Sequence, residues 1–531
     1  MSRNKMASLG ARAWAASCAL SLAACGGSQA VSAPPAEAVG VTAAPPAPAA
    51  APDRSGLPEP GPAPVWAPPS PTSWKLGDSS RVLYRQHGSV PLVSLTLILP
   101  HGTETDPPGK DGLTSLTADL LDEGAGKLNA LELGERLQGL ATDLHVQAAV
   151  DSVVLSMELI AENFAPSVDL LADIVRRPKF DPAEFKRRKE QTVSQLLAAE
   201  ADPHFGRRTA MYRALFAKGY AGGLPTGTRD TLKGITLGDV KSQYGKLVVG
   251  EGATFVVTGG IDQASVAENL KRAFGDWAGK ARVETRPLAP PPGVGKLFLT
   301  NYTGAAQSVI GVVRRAPGAD ASDLFPAMVF NRSFGEAFTS RVNLNLREDK
   351  GYTYGAASMF QRFRSAGFFA IVSDVRSDVT RASLDEILRE LSDVCSTRPL
   401  VAQERDDSVS GLLLGNPSTF ESIDLLGARF AQLAIYGRPL DWFELWPSRV
   451  AAVTLEQTNQ VAQAYCQRSE FAIVVAGDAA KVAPTLDGIG FDLVQLDPRG
   501  ELLGAAPAAA GSAKKAAAAQ VVTKPAAKPT D

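Results

Sequence analysis

The stretch Ser340-Arg-Val-Asn-Leu-Asn-Leu-Arg347-Glu-Asp-Lys-Gly351-Tyr-Thr-Tyr354 holds two chemically capable side chains, Arg347 and Tyr354, seven positions apart. Arginine is a permanent cation with forked donors, and a tyrosine phenol is a hydrogen-bond donor. Leu344 and Leu346 suit the end of a helix. Gly351 stands where a left-handed glycine would stop it, and Arg347 to Lys350 place cations near its last turn. Tyr352-Thr-Tyr354 reads as strand. Taken alone, the segment describes a surface arginine and a half-buried strand tyrosine.

Other candidate chemistry is sparse. The four histidines, His87, His101, His145 and His204, include no pair at i, i+3 or i, i+4, so no helix face offers two imidazoles to a metal. They read as loop or surface residues. Asp122-Glu123 reads as a solvated helix end. Gly250-Glu-Gly252 lacks a following Lys-Ser/Thr and is not a phosphate loop, while Gly259-Gly260 is a turn after a strand. A net charge of −2 gives no reason to expect a nucleic-acid partner.

The surrounding chain is organised in blocks. Arg3, Lys5 and Arg12 precede an apolar stretch, Ala13 to Ala24, too short to span a bilayer. It closes in Leu22-Ala-Ala-Cys25-Gly-Gly, which resembles a bacterial lipobox. The resemblance implies a signal over 1–25, a lipidated Cys25 anchoring the chain to a membrane, and export to the outer membrane facing the periplasm. Residues 26–73 are an Ala/Pro-rich tether, and 501–531 form an Ala/Lys/Pro tail with no core-forming pattern. Pro287-Leu-Ala-Pro-Pro-Pro-Gly293 lies in a linker, 286–294, with few contacts to make, dividing a body into 74–285 and 295–500. Cys395 and Cys466 are the cysteines left outside the signal; in an oxidising compartment they could pair, though nothing local requires it.

The two sides of the linker repeat one another. Asp169 and Asp385 are 216 apart, while Phe255-Val-Val and Ile473-Val-Val, like Thr236-Leu and Thr454-Leu, are 218 apart. Val193-Ser-Gln-Leu-Leu197 has a counterpart in Val409-Ser-Gly-Leu-Leu413, again offset by 216. Each unit reads as strands followed by long helices and a further strand. In the first, Val93–Leu99 is strand, Gly112–Leu121 helix, Asp151–Ile160 strand and Asn163–Arg176 helix. Asp181, with Pro182 at N1 and Glu184 at N3, opens a helix of about twenty residues. Hairpin-like strands mixed with helices, without strict alternation, predict α+β: two tandem homologous domains, each a mostly antiparallel sheet with helices packed on one face.

A duplicated α+β body carrying Ser340-Arg341, Leu346-Arg-Glu348, Gly351 and Tyr354, with Gly112-Leu113, Gly124, Phe185 to Leu197 and Gly367-Phe368, resembles the insulinase/pitrilysin family of zinc metallopeptidases. In that family a His-x-x-Glu-His helix and a distant glutamate hold zinc and the general base. The resemblance lays Ser115 and Asp119 on the two histidine positions, Ala118 on the base and Gln195 on the distant ligand. This set lacks the three protein ligands normal for zinc. The half-chamber and the second-half motif are what the resemblance leaves intact: Tyr354 would stabilise an oxyanion, and Arg347 and Tyr354 would bind peptide substrate. It implies the Arg/Tyr-bearing subunit of a bacterial two-chain peptidase, inactive alone, binding no cofactor itself. Zinc is expected in a His-x-x-Glu-His partner. One departure is Ser333 to Thr339, where the family often has a glycine-rich loop and this chain has Gly335 alone. The alternative is an inert scaffold or assembly protein retaining the peptidase fold.

Overall fold

The twelve strands are β1 (Thr72–Leu76), β2 (Ser80–Gln86), β3 (Leu92–Leu99), β4 (Leu144–Ala148), β5 (Val153–Ile160), β6 (Thr254–Gly259), β7 (Lys296–Asn301), β8 (Gln307–Ala316), β9 (Thr353–Arg362), β10 (Gly367–Arg376), β11 (Ala472–Gly477) and β12 (Asp492–Leu496) among the described residues. They form two six-stranded sheets, ordered β1-β2-β6-β3-β5-β4 and β12-β7-β11-β8-β10-β9. The computed structural model describes residues 66–216, 220–221 and 223–503; the signal with Cys25, the tether up to residue 65 and the tail from 504 lie outside the described residues.

The repeat survives as geometry. β6 and β11, the two Val-Val strands, are buried at every position and sit third in their sheets, as continuous apolar strands should. Both are followed outward by the antiparallel series β3-β5-β4 or β8-β10-β9. Thr236 and Thr454 both close capping boxes, with Asp239 and Gln457 respectively. Only the sixth strand differs in origin: β1 is antiparallel to β2, whereas β12, from the chain's far end, is parallel to β7.

Period-two alternation sends the two faces of each sheet to different cores. Leu95, Leu97, Phe255 and Val257 pack against the first half's own helices Phe164–Arg176 and Gln263–Phe274. The intervening Ile98 and Val256 pack instead under Leu426, Phe430 and Leu433 of helix Ile423–Ile435, which belongs to the second half. The exchange is reciprocal: helix Pro203–Phe216 of the first half lays Ala210, Ala214 and Phe216 on Phe298, Val313, Phe368 and Val474 of the second sheet. Each sheet therefore has its own helices on one face and a borrowed helix on the other. Phe216 and Phe430 are fully buried, and burying a side chain of that size contributes about 2–3 kcal/mol.

Two boundaries shift. Trp66 packs against Phe420 at a tilt with centroids 5.4 Å apart, and Ser70 Oγ donates to Glu444 at 3.3 Å, so packed structure starts before residue 74. At the other end Leu502 bridges Leu496 and Leu503 N–H donates to Gln495 O, extending it to 503. The proline-rich linker is not loose. Arg286 donates to Asp106 O at 2.6 Å and pairs with Asp111 at 2.8 Å, Pro287 O accepts from Tyr220 N–H, and Ala289 O accepts from Arg315. Prolines lack N–H donors, but the carbonyls of the segment still accept: Pro287 O ties it to the first half and Ala289 O to the second.

The turns of the two outer hairpins meet. Asp151, between β4 and β5, accepts from the Tyr220 hydroxyl and from Arg364 N–H at 2.6 Å; Arg364 lies in the β9–β10 turn. Arg364 also donates to Asp151 O and Ile435 O. Cys395 and Cys466 form a disulfide between the ends of helices Thr380–Val394 and Leu455–Tyr465, the pairing that the sequence left open.

Candidate functional site

Arg347 and Tyr354 flank the expected joint, but its helix is unusual. A single turn, Arg341–Asn343, runs into a π-helical turn, Leu344–Asp349, in which Lys350 N–H reaches back to Asn345 O. Gly351 takes φ 62°, and the N–H groups of Gly351 and Tyr352 close onto Arg347 O and Leu346 O. That is the left-handed stop expected of a glycine, one residue wider than usual. Arg341 grips Glu404 through two contacts of 2.6 Å, and Asn345 donates to Glu390 at 2.7 Å, fixing the first part of this helical segment.

Tyr354 is 93% exposed, not half-buried. The pairing of β9 with β10 explains why. Thr353 opposes Val375 and Ala356 opposes Ser373, so Tyr354 and Gly355 together face the single residue Asp374 in a β-bulge. The Thr353 hydroxyl donates to Asp374 O at 2.7 Å and accepts from Gly355 N–H at 3.0 Å, and Ser373 Oγ donates to Gly355 O at 2.9 Å. The buried Asn343 accepts from Ala356 N–H at 3.1 Å and donates to Phe338 O at 2.7 Å. The bulge backbone is fixed while the phenol stands in solvent.

Asn343 thereby links the bulge to the support of Arg347. The Arg347 guanidinium lies 4.3 Å from the Phe338 ring centroid, and its Nε is 3.3 Å from Glu348. Phe338 is 63% exposed, so this cation–π contact orients the cation without hiding it. The preceding segment is equally fixed. A Cβ on Gly335 would fall 2.6 Å from Ser358 N, so only glycine fits there, and Ser358 Oγ donates to Asn331 at 2.8 Å. Sequence reasoning found Arg347 and Tyr354 but missed Phe338, Asn343, Thr353 and Ser373. An asparagine among helix residues, where its propensity is poor, is the one signal that pointed at Asn343.

The first-half positions converge too, but on different chemistry. The helix there is short, Leu113–Ala118, rather than running to Leu121. Buried Asp106 accepts its first N–H groups, from Gly112 and Thr114, both at 2.8 Å. Ser115 Oγ donates to Pro225 O at 2.5 Å, Ala118 is buried and Gln195 is exposed. Burial raises the Asp119 carboxyl, with Arg188 opposing the shift. Glu123 is only 9% exposed and is met by Arg187 and, at 3.5 Å, by Arg188, so it is an ion-paired interior group and not a solvated helix end. Burial pushes neighbouring Asp122 up to about 6. A hydroxyl spent on a carbonyl, an alanine, a surface amide and carboxylates facing two arginines do not fit a zinc ion.

The histidines are dispersed. His87 contacts Glu421 O, His101 contacts Glu104 at 3.1 Å, His145 is exposed on β4, and His204, on helix Pro203–Phe216, lies 3.4 Å from Asp374. Two of the four lie in regular elements, and both of these are at the surface. No group of three His, Cys, Asp or Glu able to hold a metal occurs among the described residues.

Comparison with known proteins agrees with this architecture. Residues 81–224 match the insulinase family (peptidase family M16), and 234–410 match the peptidase M16 inactive domain. A non-peptidase homolog, YmxG, of Helicobacter pylori is 20% identical over 75% of this chain and 92% of its own length. An uncharacterized zinc protease of Rickettsia bellii is 18% identical over 73% and 94% respectively. A crystal structure of a peptidase M16 inactive domain from Pseudomonas fluorescens superimposes with TM-score 0.71 at 20% identity, covering 77% of this chain and 98% of that one. A subunit in the structure of complex III2 from Candida albicans gives TM-score 0.67 at 12% identity, covering 79% and 97%. With both halves matched in order and the two-sheet fold shared, the chain belongs to the insulinase family, peptidase family M16.

Proposed function

We propose that this chain is the non-zinc subunit of a heterodimeric insulinase-like metallopeptidase, supplying Arg347 and Tyr354 to peptides held at a zinc-bearing partner. The observation that carries the reading is Tyr354 itself: a tyrosine 93% exposed on a bulge whose backbone is fixed by Thr353, Ser373 and Asn343. Leaving a large ring in water forfeits its burial energy, so a rigid platform for it points to use. A phenol so placed can donate to a scissile carbonyl as it becomes an oxyanion, and Arg347 on Phe338 can align the peptide backbone. Zinc, in the partner, would supply the activated water.

The chain is read as an exported lipoprotein anchored through Cys25, on the periplasmic side of the outer membrane. The Cys395–Cys466 disulfide supports an oxidising compartment. A scaffold role is the second reading, favoured by the ion-paired first-half site and by a Helicobacter relative named a non-peptidase homolog. A neighbouring gene encoding His-x-x-Glu-His favours the heterodimer, and a stand-alone gene favours the scaffold. Metal analysis tests the first reading: the purified chain should hold no stoichiometric zinc and cleave no peptide. One tightly held zinc per chain overturns it.

A further inference from the structure

A cavity of about 190 Å³ lies between the borrowed helix Ile423–Ile435 and helices Leu324–Asn331 and Trp442–Ala451, at the end of β9 opposite to Tyr354. Its lining is both cationic and aromatic: Arg362, Arg429 and Arg438 with Trp442, Phe443 and Trp446. Two of the arginines are committed. Arg362 pairs with Asp323 at 2.9 Å and donates to the carbonyls of Pro317 and Gly318, while Arg438 pairs with Asp320 at 3.1 Å and donates to Ala319 O. The second oxygen of Asp323 is taken by the Tyr465 hydroxyl.

Arg429 is different. Its guanidinium lies 5.8 Å and 5.9 Å from the Phe420 and Phe443 centroids and has no hydrogen bond or ion pair among the described residues. Burial lowers its pKa with no acidic neighbour opposing the shift. Arg449 adds a fourth cation, 4.7 Å from the Trp442 ring that Arg438 approaches at 4.1 Å. Asp320 and Asp323 are the carboxylates paired within this cluster, and Asp320 is 76% exposed. Three arginines line the cavity, and the two carboxylates paired there meet Arg362 and Arg438, so the charge of Arg429 is left over. Aromatic rings offset part of the desolvation of a guanidinium, but a partly buried cation without an anion remains costly.

We propose that this cavity is a binding site for a small carboxylate on an apolar body, with Arg429 as its anchor. The fork of Arg429 matches the two carboxylate oxygens, Gln432 is a further polar group on the lining, and the Trp442, Phe443 and Trp446 rings suit a compact apolar remainder. The volume admits a molecule of roughly benzoate size and excludes a folded chain. The site stands independently of the proposed peptidase role.

The test is calorimetric titration of the full chain with benzoate, with neutral benzamide and with inorganic phosphate. Benzoate should bind at one site per chain, with benzamide and phosphate at least tenfold weaker. Arg429→Gln should lower benzoate affinity at least tenfold. Equal affinity for benzoate and benzamide, tighter binding of phosphate, or undiminished benzoate binding in Arg429→Gln overturns the assignment. The comparison of benzoate with benzamide uses the unaltered chain, so it decides the matter even where the variant fails to fold.

Discussion

Replacing Asp122 by asparagine should stabilise the protein, and do so only above mildly acidic pH. Asp122 Oδ1 is buried without a hydrogen-bond partner among the described residues. Burial raises its carboxyl from 3.8 to about 6, with Arg188 pulling it down and Glu123 and Asp119 pushing it up. The folded value lies above the unfolded one. The folded state therefore holds an extra proton between about pH 4 and pH 6, and stability falls as pH rises through that window. Roughly two pH units correspond to about 3 kcal/mol; residual water contact lowers this to on the order of 2 kcal/mol. Asparagine keeps the shape and carries no charge. Urea unfolding should show Asp122→Asn more stable by about 2 kcal/mol at pH 8, with the difference gone near pH 4. A difference independent of pH, or a loss of stability at pH 8, refutes the reasoning.

Two further outcomes rest on ties within the fold. Replacing both Cys395 and Cys466 by alanine opens a loop of 71 residues and should cost about 4 kcal/mol, read as a lower urea midpoint that reductant does not lower further. Asp151→Ala strips the acceptor from Tyr220 and from Arg364 N–H at the meeting of the two hairpin turns; it should cost about 2–4 kcal/mol and hasten proteolysis at those turns, both read on the purified chain.

What was legible in the sequence was what depends on local pattern. Val-Val strands, the Asp181-Pro182 cap and the glycine stop at 351 act through neighbours in the chain, and each appears where it was expected. The repeat showed in the same way, because both halves solve one packing problem with one pattern. The borrowed helices were hidden, since Ile423–Ile435 reads as an amphipathic helix whichever sheet it covers. The bulge that turns Tyr354 outward arises from two-against-one pairing with β10 and hydroxyls on Thr353 and Ser373, which no spacing announces. For Glu123 the arginines that meet it stand 64 and 65 positions away, at 187 and 188, so an interior ion pair resembled a solvated helix end.

The contribution of Tyr354 to catalysis is tested most directly by the peptide hydrolysis rate of this chain paired with a zinc-bearing partner of the same family, with Tyr354 intact and as Tyr354→Phe. Phenylalanine keeps the ring and the bulge but has no donor for an oxyanion, so kcat should fall at least tenfold, and by roughly 10²–10³ if the phenol acts as a full oxyanion donor. Zinc content and affinity for the partner should be unchanged. An unaltered kcat in that complex contradicts the role assigned to Tyr354.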